Sequence, residues 1–252
     1  MKVLILCGGQ GTRAYPYTRR MPKALMPVAG LPIVEQVMRI YAAQGFTEFV
    51  LAVGYLKEDI VKYFQTKQWR VECIDTGGST DTGERVRRCL DYLTPIFHAT
   101  YCDGLGDVDL NALVEFHRRH RDAATVTAAT LRSQYGILKA DGEDRIEEFV
   151  EKPTLREYWI NAGFFVFDRK AIEEIPGANL EREVLPELAR RRMLRVYRHQ
   201  GFWRSMDTYK DQQELDALWT PFSLQLERQI PDVGHVPAWL SRRYDLAVRE
   251  RS

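Results

Sequence analysis

The sequence predicts an α/β fold: a Rossmann-like, mixed but mostly parallel sheet with helices on both faces, followed by a smaller β-rich region. Three observations predict it. In the first half, short apolar runs alternate with stretches of helical periodicity, as in βα units laid on a parallel sheet. A glycine-rich turn follows the first apolar run directly. In the second half strand formers crowd together, separated by turn signals such as Asp141-Gly142, so that part adds mixed strands.

The elements follow in order. Lys2–Cys7 reads as a buried strand. Pro32–Gln44 reads as a helix, with Pro32 near its start and Gly45 at its end. Glu48–Val53 with Lys57–Phe64, and Arg70–Ile74 with Glu84–Tyr92, read as further strand–helix pairs. Ile96–Cys102 is a strand ended by Asp103-Gly104, and Leu110–His120 is a helix with Asp109 placed to cap it. Strands are expected over Ala124–Leu131, Gly136–Ala140, Arg145–Glu151 and Trp159–Phe167. Glu181–Arg192 has a helical pattern that Pro186 should break or kink. Leu194–His199 is a strand and Lys210–Leu218 a helix. These elements assign residues 1–219 to one domain and 220–252 to a tail containing Pro221, Pro231 and Pro237. Within the tail, Ala238–Arg249 has amphipathic helical spacing. It either packs on the body or on a second copy of the chain, or forms a loosely held terminus. A homo-oligomer therefore stays open.

Composition excludes several classes. The chain of 252 residues carries 36 basic and 35 acidic side chains for a net charge of +1, which argues against a nucleic-acid partner. Any anion site must be local. No apolar run is long enough to cross a bilayer, and the one at the start is followed by glycines instead of a cleavage site. Cys7, Cys73, Cys89 and Cys102 have no metal-binding spacing and read as reduced structural thiols. A cytoplasmic protein is expected. His117 and His120 share a helix with Arg118, Arg119 and Arg121 and read as part of a solvated basic face.

Gly8-Gly9-Gln10-Gly11-Thr12-Arg13 follows the first strand, where open α/β sheets bind ligands. Glycines let backbone N–H groups approach phosphate oxygens, and Arg13 adds a fork of donors. A Walker A loop is absent, since no Gly-Lys-Ser or Gly-Lys-Thr occurs here. A dinucleotide fingerprint is met only superficially by Gly9-x-Gly11-x-x-Ala14. Pro16, Pro22 and Pro27 follow it, so no helix begins at the loop to hold a pyrophosphate. What remains is an extended, proline-braced loop carrying Arg13 and then Pro22-Lys23.

Candidate carboxylates lie far along the chain. Asp103 ends an apolar strand, where a turn aspartate before glycine is the competing reading. Asp207 precedes a helix, where an N-cap is the competing reading. Chemistry at a phosphate-binding loop draws on such groups. Two like charges at 4 Å repel by about 4 kcal/mol at an effective dielectric near 20, so a cation is required. Magnesium is satisfied by one or two carboxylates.

The glycine loop with Pro22-Lys23 resembles the signature of the sugar-1-phosphate nucleotidyltransferases. Thr100-Tyr101-Cys102-Asp103-Gly104 and Gly201-Phe202-Trp203 with Met206-Asp207-Thr208 resemble that family's two metal-aspartate segments. The second is most similar to glucose-1-phosphate cytidylyltransferases. Glu151-Lys152-Pro153 is similar to the family's Glu-Lys-Pro element, whose lysine contacts the sugar phosphate. Asn161-Ala162-Gly163 is similar to the element lining the sugar pocket, and Gly136 stands where a backbone glycine approaches the sugar. Asp75-Thr76-Gly77-Gly78-Ser79 with Thr82-Gly83-Glu84-Arg85 resembles the cytidylyltransferases' nucleotide-facing loop, or else is a loop with a solvated helix start.

The resemblance implies a nucleotidyltransferase (GT-A-like) fold whose β-rich region binds sugar. It implies Mg²⁺ on Asp103 and Asp207, with Arg13 and Lys23 acting on the phosphates. A nucleoside triphosphate would meet Gly8, Gly9, Gly11, Thr12, Arg13, Lys23, Thr82, Gly83, Arg85 and Asp103. A sugar 1-phosphate would meet Gly136, Glu151, Lys152 and Asn161. The expected reaction joins the two, with CTP and glucose 1-phosphate as first substrates. UTP, dTTP, GTP, another sugar phosphate and a non-catalytic binding relative stay open. The sequence departs from the cytidylyl pattern in the short stretch from Tyr63 to Asp75 and in Glu84, Ala162 and Cys102, which replace glycines.

Overall fold

In the computed structural model, which describes residues 1–230, 234 and 236–249, the chain opens with β1 (Val3–Leu6) and the glycine loop. A short hairpin of β2 (Pro27–Val28) and β3 (Leu31–Pro32) leads into α1 (Ile33–Ala42). Then follow β4 (Glu48–Val53), α2 (Lys57–Gln65), β5 (Arg70–Asp75), α3 (Thr82–Arg88), β6 (Ile96–Tyr101), β7 (Gly104–Gly106) and α4 (Leu110–His120). The second half contributes β8 (Ala124–Arg132), β9 (Ile137–Ala140), β10 (Ile146–Val150), β11 (Thr154–Asp168), α5 (Arg169–Glu174), α6 (Leu185–Arg190), β12 (Leu194–Arg198), β13 (Trp203–Ser205), α7 (Tyr209–Glu227) and α8 (Ala238–Arg249).

The main sheet has seven strands in the order β12-β8-β11-β6-β1-β4-β5. Strands β6, β1, β4 and β5 are mutually parallel, as are β8 and β12, while β11 runs antiparallel to both its neighbours. The alternation along β1 explains the layers. Val3 and Ile5 face one core with residues of α1, α2, α4 and α7, whereas Leu4 and Leu6 face a second core with residues of α3, α5 and α6. Chain order turns back between β1 and β6. Leu6 sits beside Ala52 on one side and Tyr101 on the other. The crevice beyond these carboxyl ends is the switch point at which such sheets bind ligands.

Most expected elements stand within a residue or two, and Asp109 caps α4 by accepting from the Ala112 N–H at 2.8 Å. Three differ. The helix expected over Glu84–Tyr92 is α3 followed by a separate 3₁₀ turn at Leu90–Tyr92. The run over Glu181–Arg192 divides into a π-turn (Leu180–Val184) and α6, with Pro186 in the first turn of α6, where no backbone donor is needed. Helix α7 does not stop at Leu218. It continues through Pro221 to Glu227, across the position where the tail was expected to begin. Packing outweighs the missing N–H: Trp219 and Phe222 stack on each other and on Phe202, and Trp219 and Ser223 hydrogen-bond Gln36 of α1. Helix α8 packs on the body through Tyr244 to Gln212 at 3.1 Å and Arg243 to Asp59. Pro231 lies outside the described residues.

His117 is not on a solvated face. It is buried, with Nδ1 2.9 Å from Thr125 Oγ1, and only His120 at the next turn is exposed. The β9–β10 hairpin stands away from the sheet with Ile137, Leu138, Ile146 and Phe149 all exposed. Among the described residues no helix is long and apolar enough to cross a membrane.

Candidate active site

A cavity of about 750 Å³ occupies the switch point. The glycine loop forms one wall. Gly11 adopts φ +62°, a conformation that favours glycine, and a side chain there would press on Lys23 Cβ at 3.0 Å. Its carbonyl accepts from Thr18 Oγ1 and the Ala14 N–H, both at 2.9 Å, which ties the loop back on itself.

Arg85 was expected to face the nucleotide. It borders the cavity, but its buried guanidinium donates to the carbonyls of Gly8 (2.9 Å) and Gly77 (2.8 Å) and to Thr76 Oγ1 (2.6 Å). It therefore braces the two loops against each other. A Cβ on Gly8 would collide with that guanidinium. Glu84 has its own partners in Arg88 at 3.0 Å and Arg87 at 3.6 Å, so no site group is needed to balance it.

The opposite wall brings together residues distant in sequence. Strand β13 pairs antiparallel with β7, and the Met206 N–H donates to the Asp103 carbonyl at 2.8 Å. This sets Asp207 beside Asp103. The N-cap of α7 is Thr208, which forms a capping box with Asp211. Asp207 is thus left to the cavity, while its own N–H donates to Asp211 at 3.1 Å.

Lys23 Nζ lies between the carboxylates, 2.5 Å from Asp103 and 3.1 Å from Asp207, and Arg13 reaches Asp207 at 2.9 Å. Burial pushes the Lys23 ammonium down. The charge and hydrogen bond of Asp103, then the charge of Asp207, outweigh it and leave its pKa above the ordinary value. A single side-chain cation satisfying both carboxylates shows that the pair suits a compact positive charge. Its hard oxygen donors fit magnesium, which takes few protein ligands and completes its shell with water and phosphate. Among the described residues no group of three or more His, Cys, Asp or Glu side chains forms a denser metal cluster.

At the far end, Asn161 projects from a bulge in β11, where pairing with β8 shifts register between Asn161 and Phe165. Its Oδ1 accepts from the Gly163 N–H at 2.8 Å and its Nδ2 donates to Tyr101 Oη at 3.3 Å. Gly163 has φ +77°, and a Cβ there would strike the Tyr101 ring. The Asn-Ala-Gly spacing thus makes room for Tyr101 and aims Asn161.

The cavity gathers Gly8, Gly9, Gly11, Arg13, Lys23, Thr82, Arg85, Asp103, Asn161 and Asp207. Other expected residues stand outside its lining. Thr12 is exposed, and Gly83 packs under the carbonyls of Gly177 and Ala178. Gly136 packs against Phe149 and Glu151, and Lys152 is exposed, 3.8 Å from Glu151. The physical reason is that these last three residues flank the protruding β9–β10 hairpin. Sequence reasoning missed Tyr101, Glu181, Trp203 and Ser205, which also line the cavity. Tyr101 lies two residues before Asp103, so strand alternation carried a signal for it. Nothing local marked Glu181. Trp203 was read without a role; its indole N–H donates to the Ala162 carbonyl at 2.7 Å.

A glycine loop opposite paired carboxylates at the switch point of an open sheet defines an α/β protein built to handle nucleotides or phosphates. Residues 2–220 match the nucleotidyl transferase family, and the chain belongs to it. The glucose-1-phosphate cytidylyltransferase of Salmonella typhi is 33% identical over 247 residues, covering 87% of this chain and 96% of that protein. A mannose-1-phosphate guanyltransferase of Hypocrea jecorina is 31% identical over 230 residues, covering 84% of this chain and 62% of that protein. Among solved structures, HddC from Yersinia pseudotuberculosis shares the fold with a TM-score of 0.68 at 19% identity, over 86% of this chain and 99% of that one.

Proposed function

We propose that this protein transfers a nucleotidyl group from CTP to glucose 1-phosphate, giving an NDP-sugar and pyrophosphate. The broader class, a sugar-1-phosphate nucleotidyltransferase, rests on family membership. The observation that carries the chemistry is the Asp103–Lys23–Asp207 cluster facing the glycine loop in one cavity. The choice of CTP is supported by length. The chain spans 96% of the cytidylyltransferase but 62% of the guanyltransferase.

The reaction is an in-line displacement. A phosphate oxygen of the sugar 1-phosphate bonds to the α-phosphorus, the bond to the bridging oxygen of the β-phosphate breaks, and pyrophosphate departs with that electron pair. The attacking oxygen is already anionic near neutral pH, so no general base is required. Catalysis then consists of positioning and charge stabilisation. Arg13 and Lys23 are suited to the phosphates, with Lys23 exchanging its carboxylate partners for phosphate oxygens. A magnesium ion, when bound, supplies neutralising charge, and Asp103 and Asp207 would hold it. Backbone N–H groups of the glycine loop face the triphosphate, and Asn161 faces the sugar. Lys152, which the Glu-Lys-Pro resemblance assigns to the sugar phosphate, stands outside the cavity and would have to turn toward it to make that contact.

The test is pyrophosphate release with Mg²⁺, glucose 1-phosphate and each of CTP, UTP, dTTP, GTP and ATP. Release with CTP alone is expected. Release with a different triphosphate would move the base assignment and keep the mechanism. Silence with all five and a panel of sugar phosphates would overturn the reading.

A further inference from the structure

Glu181 enters the cavity from the π-turn before α6 and joins residues from opposite ends of it. Its position is fixed locally. Asn179 Oδ1 accepts from the Arg182 N–H at 2.8 Å, and the Leu180 N–H donates to Thr82 Oγ1 at 2.9 Å. Because Thr82 Oγ1 already accepts that bond, its own proton is free to point at Glu181, whose Oε2 lies 2.6 Å away. The other carboxylate oxygen accepts from the Tyr101 hydroxyl. A carboxylate only accepts, so this hydroxyl donates. Tyr101 Oη in turn accepts from Asn161 Nδ2 at 3.3 Å.

The bonds have one polarity. Donors run from Asn161 through Tyr101 to Glu181, and from Leu180 through Thr82 to the same carboxylate. Asn161 and Thr82 both face the cavity, one on the β11 bulge and the other in the first turn of α3. Only a carboxylate presents two acceptor oxygens at once to two hydroxyls. Glu181 itself is exposed to the cavity, so these two bonds and not burial hold it in place.

We propose that Glu181 is a positioning residue that orients the Asn161 amide through Tyr101 and the start of α3 through Thr82, coupling the sugar end of the site to the nucleotide end. This rests on the proposed placement of sugar near Asn161 and nucleotide near Thr82. Loss of the carboxylate frees both ends. Loss of either hydroxyl frees one.

The experiment measures KM for the triphosphate and for the sugar phosphate, kcat and the melting temperature in wild type, Glu181→Ala, Glu181→Gln, Tyr101→Phe, Thr82→Val and the Glu181→Ala/Tyr101→Phe double variant. Glu181→Ala should raise both KM values about fivefold or more, the worth of one net hydrogen bond, and change kcat less. Tyr101→Phe should raise only the sugar-phosphate KM, and Thr82→Val only the triphosphate KM. The double variant should be no worse toward sugar phosphate than the worse single variant, because both act through one chain. Glu181→Gln, which keeps an acceptor for Tyr101, should recover most of the sugar-phosphate KM. Additive effects in the double variant would mean that Glu181 touches substrate directly and would overturn the positioning role. So would a folded, active Glu181→Ala enzyme with both KM values within about twofold of wild type. A wild type silent with every substrate sinks the parent function and this inference with it, whereas an active wild type with an unaffected variant sinks this inference alone.

Discussion

Lys23 donates to Asp103 across 2.5 Å while also reaching Asp207 at 3.1 Å, so one ammonium pairs with two carboxylates that chain order places far apart. None of the three side chains is more than about a third exposed, and the pairing is screened less than a surface ion pair. Among the described residues, removing the cation leaves Asp207 paired with the exposed Arg13 and Asp103 with no cationic side chain in contact. Lys23→Met should therefore lower metal-free stability by about 2 kcal/mol. Millimolar Mg²⁺ should then raise the melting temperature of Lys23→Met more than that of wild type. Paired thermal melts with and without the ion check this, and equal shifts would detach the carboxylates from metal binding.

Asp103→Asn keeps the shape and removes one of the two negative charges. Turnover should fall at least about a hundredfold, since several kcal/mol of charge stabilisation is at stake. The Met206 N–H bond to the Asp103 backbone carbonyl remains, so far-ultraviolet circular dichroism should not change. Near-wild-type turnover in this variant would remove Asp103 from the mechanism.

Arg85 tests whether a cavity-facing arginine reads the base or holds the loops. Its fork bonds Gly8, Thr76 and Gly77 together. A lysine cannot reproduce that planar geometry. Arg85→Lys should lose about 2 kcal/mol of stability and raise the KM for every triphosphate by a similar factor. A change in preference among triphosphates at unchanged stability would instead make Arg85 a base contact.

The parallel half was legible because apolar period and glycine punctuation agree there. Strand β4 and helix α4 stand where the pattern put them. The glycine loop, Lys23 and the two aspartates were legible as motifs. Local chemistry alone left Asp207 competing with a helix cap, and in the structure the cap is Thr208, with Asp211 completing the capping box. The course of α7 through Pro221 was not legible, because it depends on Trp219 and Phe222 stacking on Phe202. Glu181 was not legible for a related reason. Its meaning comes from Tyr101 and Thr82, which reach it only after the sheet and α3 are assembled.

Lys152 lies outside the cavity on a residue with φ +48°, beside Glu151 and the protruding hairpin. If the segment swings in with substrate, Lys152→Ala should raise the KM for sugar phosphate about tenfold and leave the triphosphate KM unchanged, as expected for loss of one charge-assisted contact. Stability should not change, because the side chain is exposed. Steady-state kinetics with each substrate varied separately decide it, and equal effects on both KM values would place Lys152 elsewhere in the reaction.

His98 gives the fold a pH limit remote from the site. It is buried in β6 in T-shaped contact with the rings of Tyr41 and Phe46, and burial pushes its pKa down from 6.5 to about 3. Above pH 6.5 the imidazole is neutral in both folded and unfolded chains and costs nothing. As pH falls below 6.5 the unfolded chain takes up a proton that the folded chain refuses, so stability falls by about 1.4 kcal/mol per pH unit toward pH 3. His117, also pushed down by burial first, adds in the same direction. Denaturant unfolding between pH 7 and pH 5 reads the histidines before the carboxylates titrate. His98→Leu removes the group while keeping an apolar side chain of similar volume. Its absolute stability will shift with packing, but its slope with pH should be smaller than that of wild type by as much as one proton. An unchanged slope would mean that His98 is already protonated, or already neutral, in both states across this range.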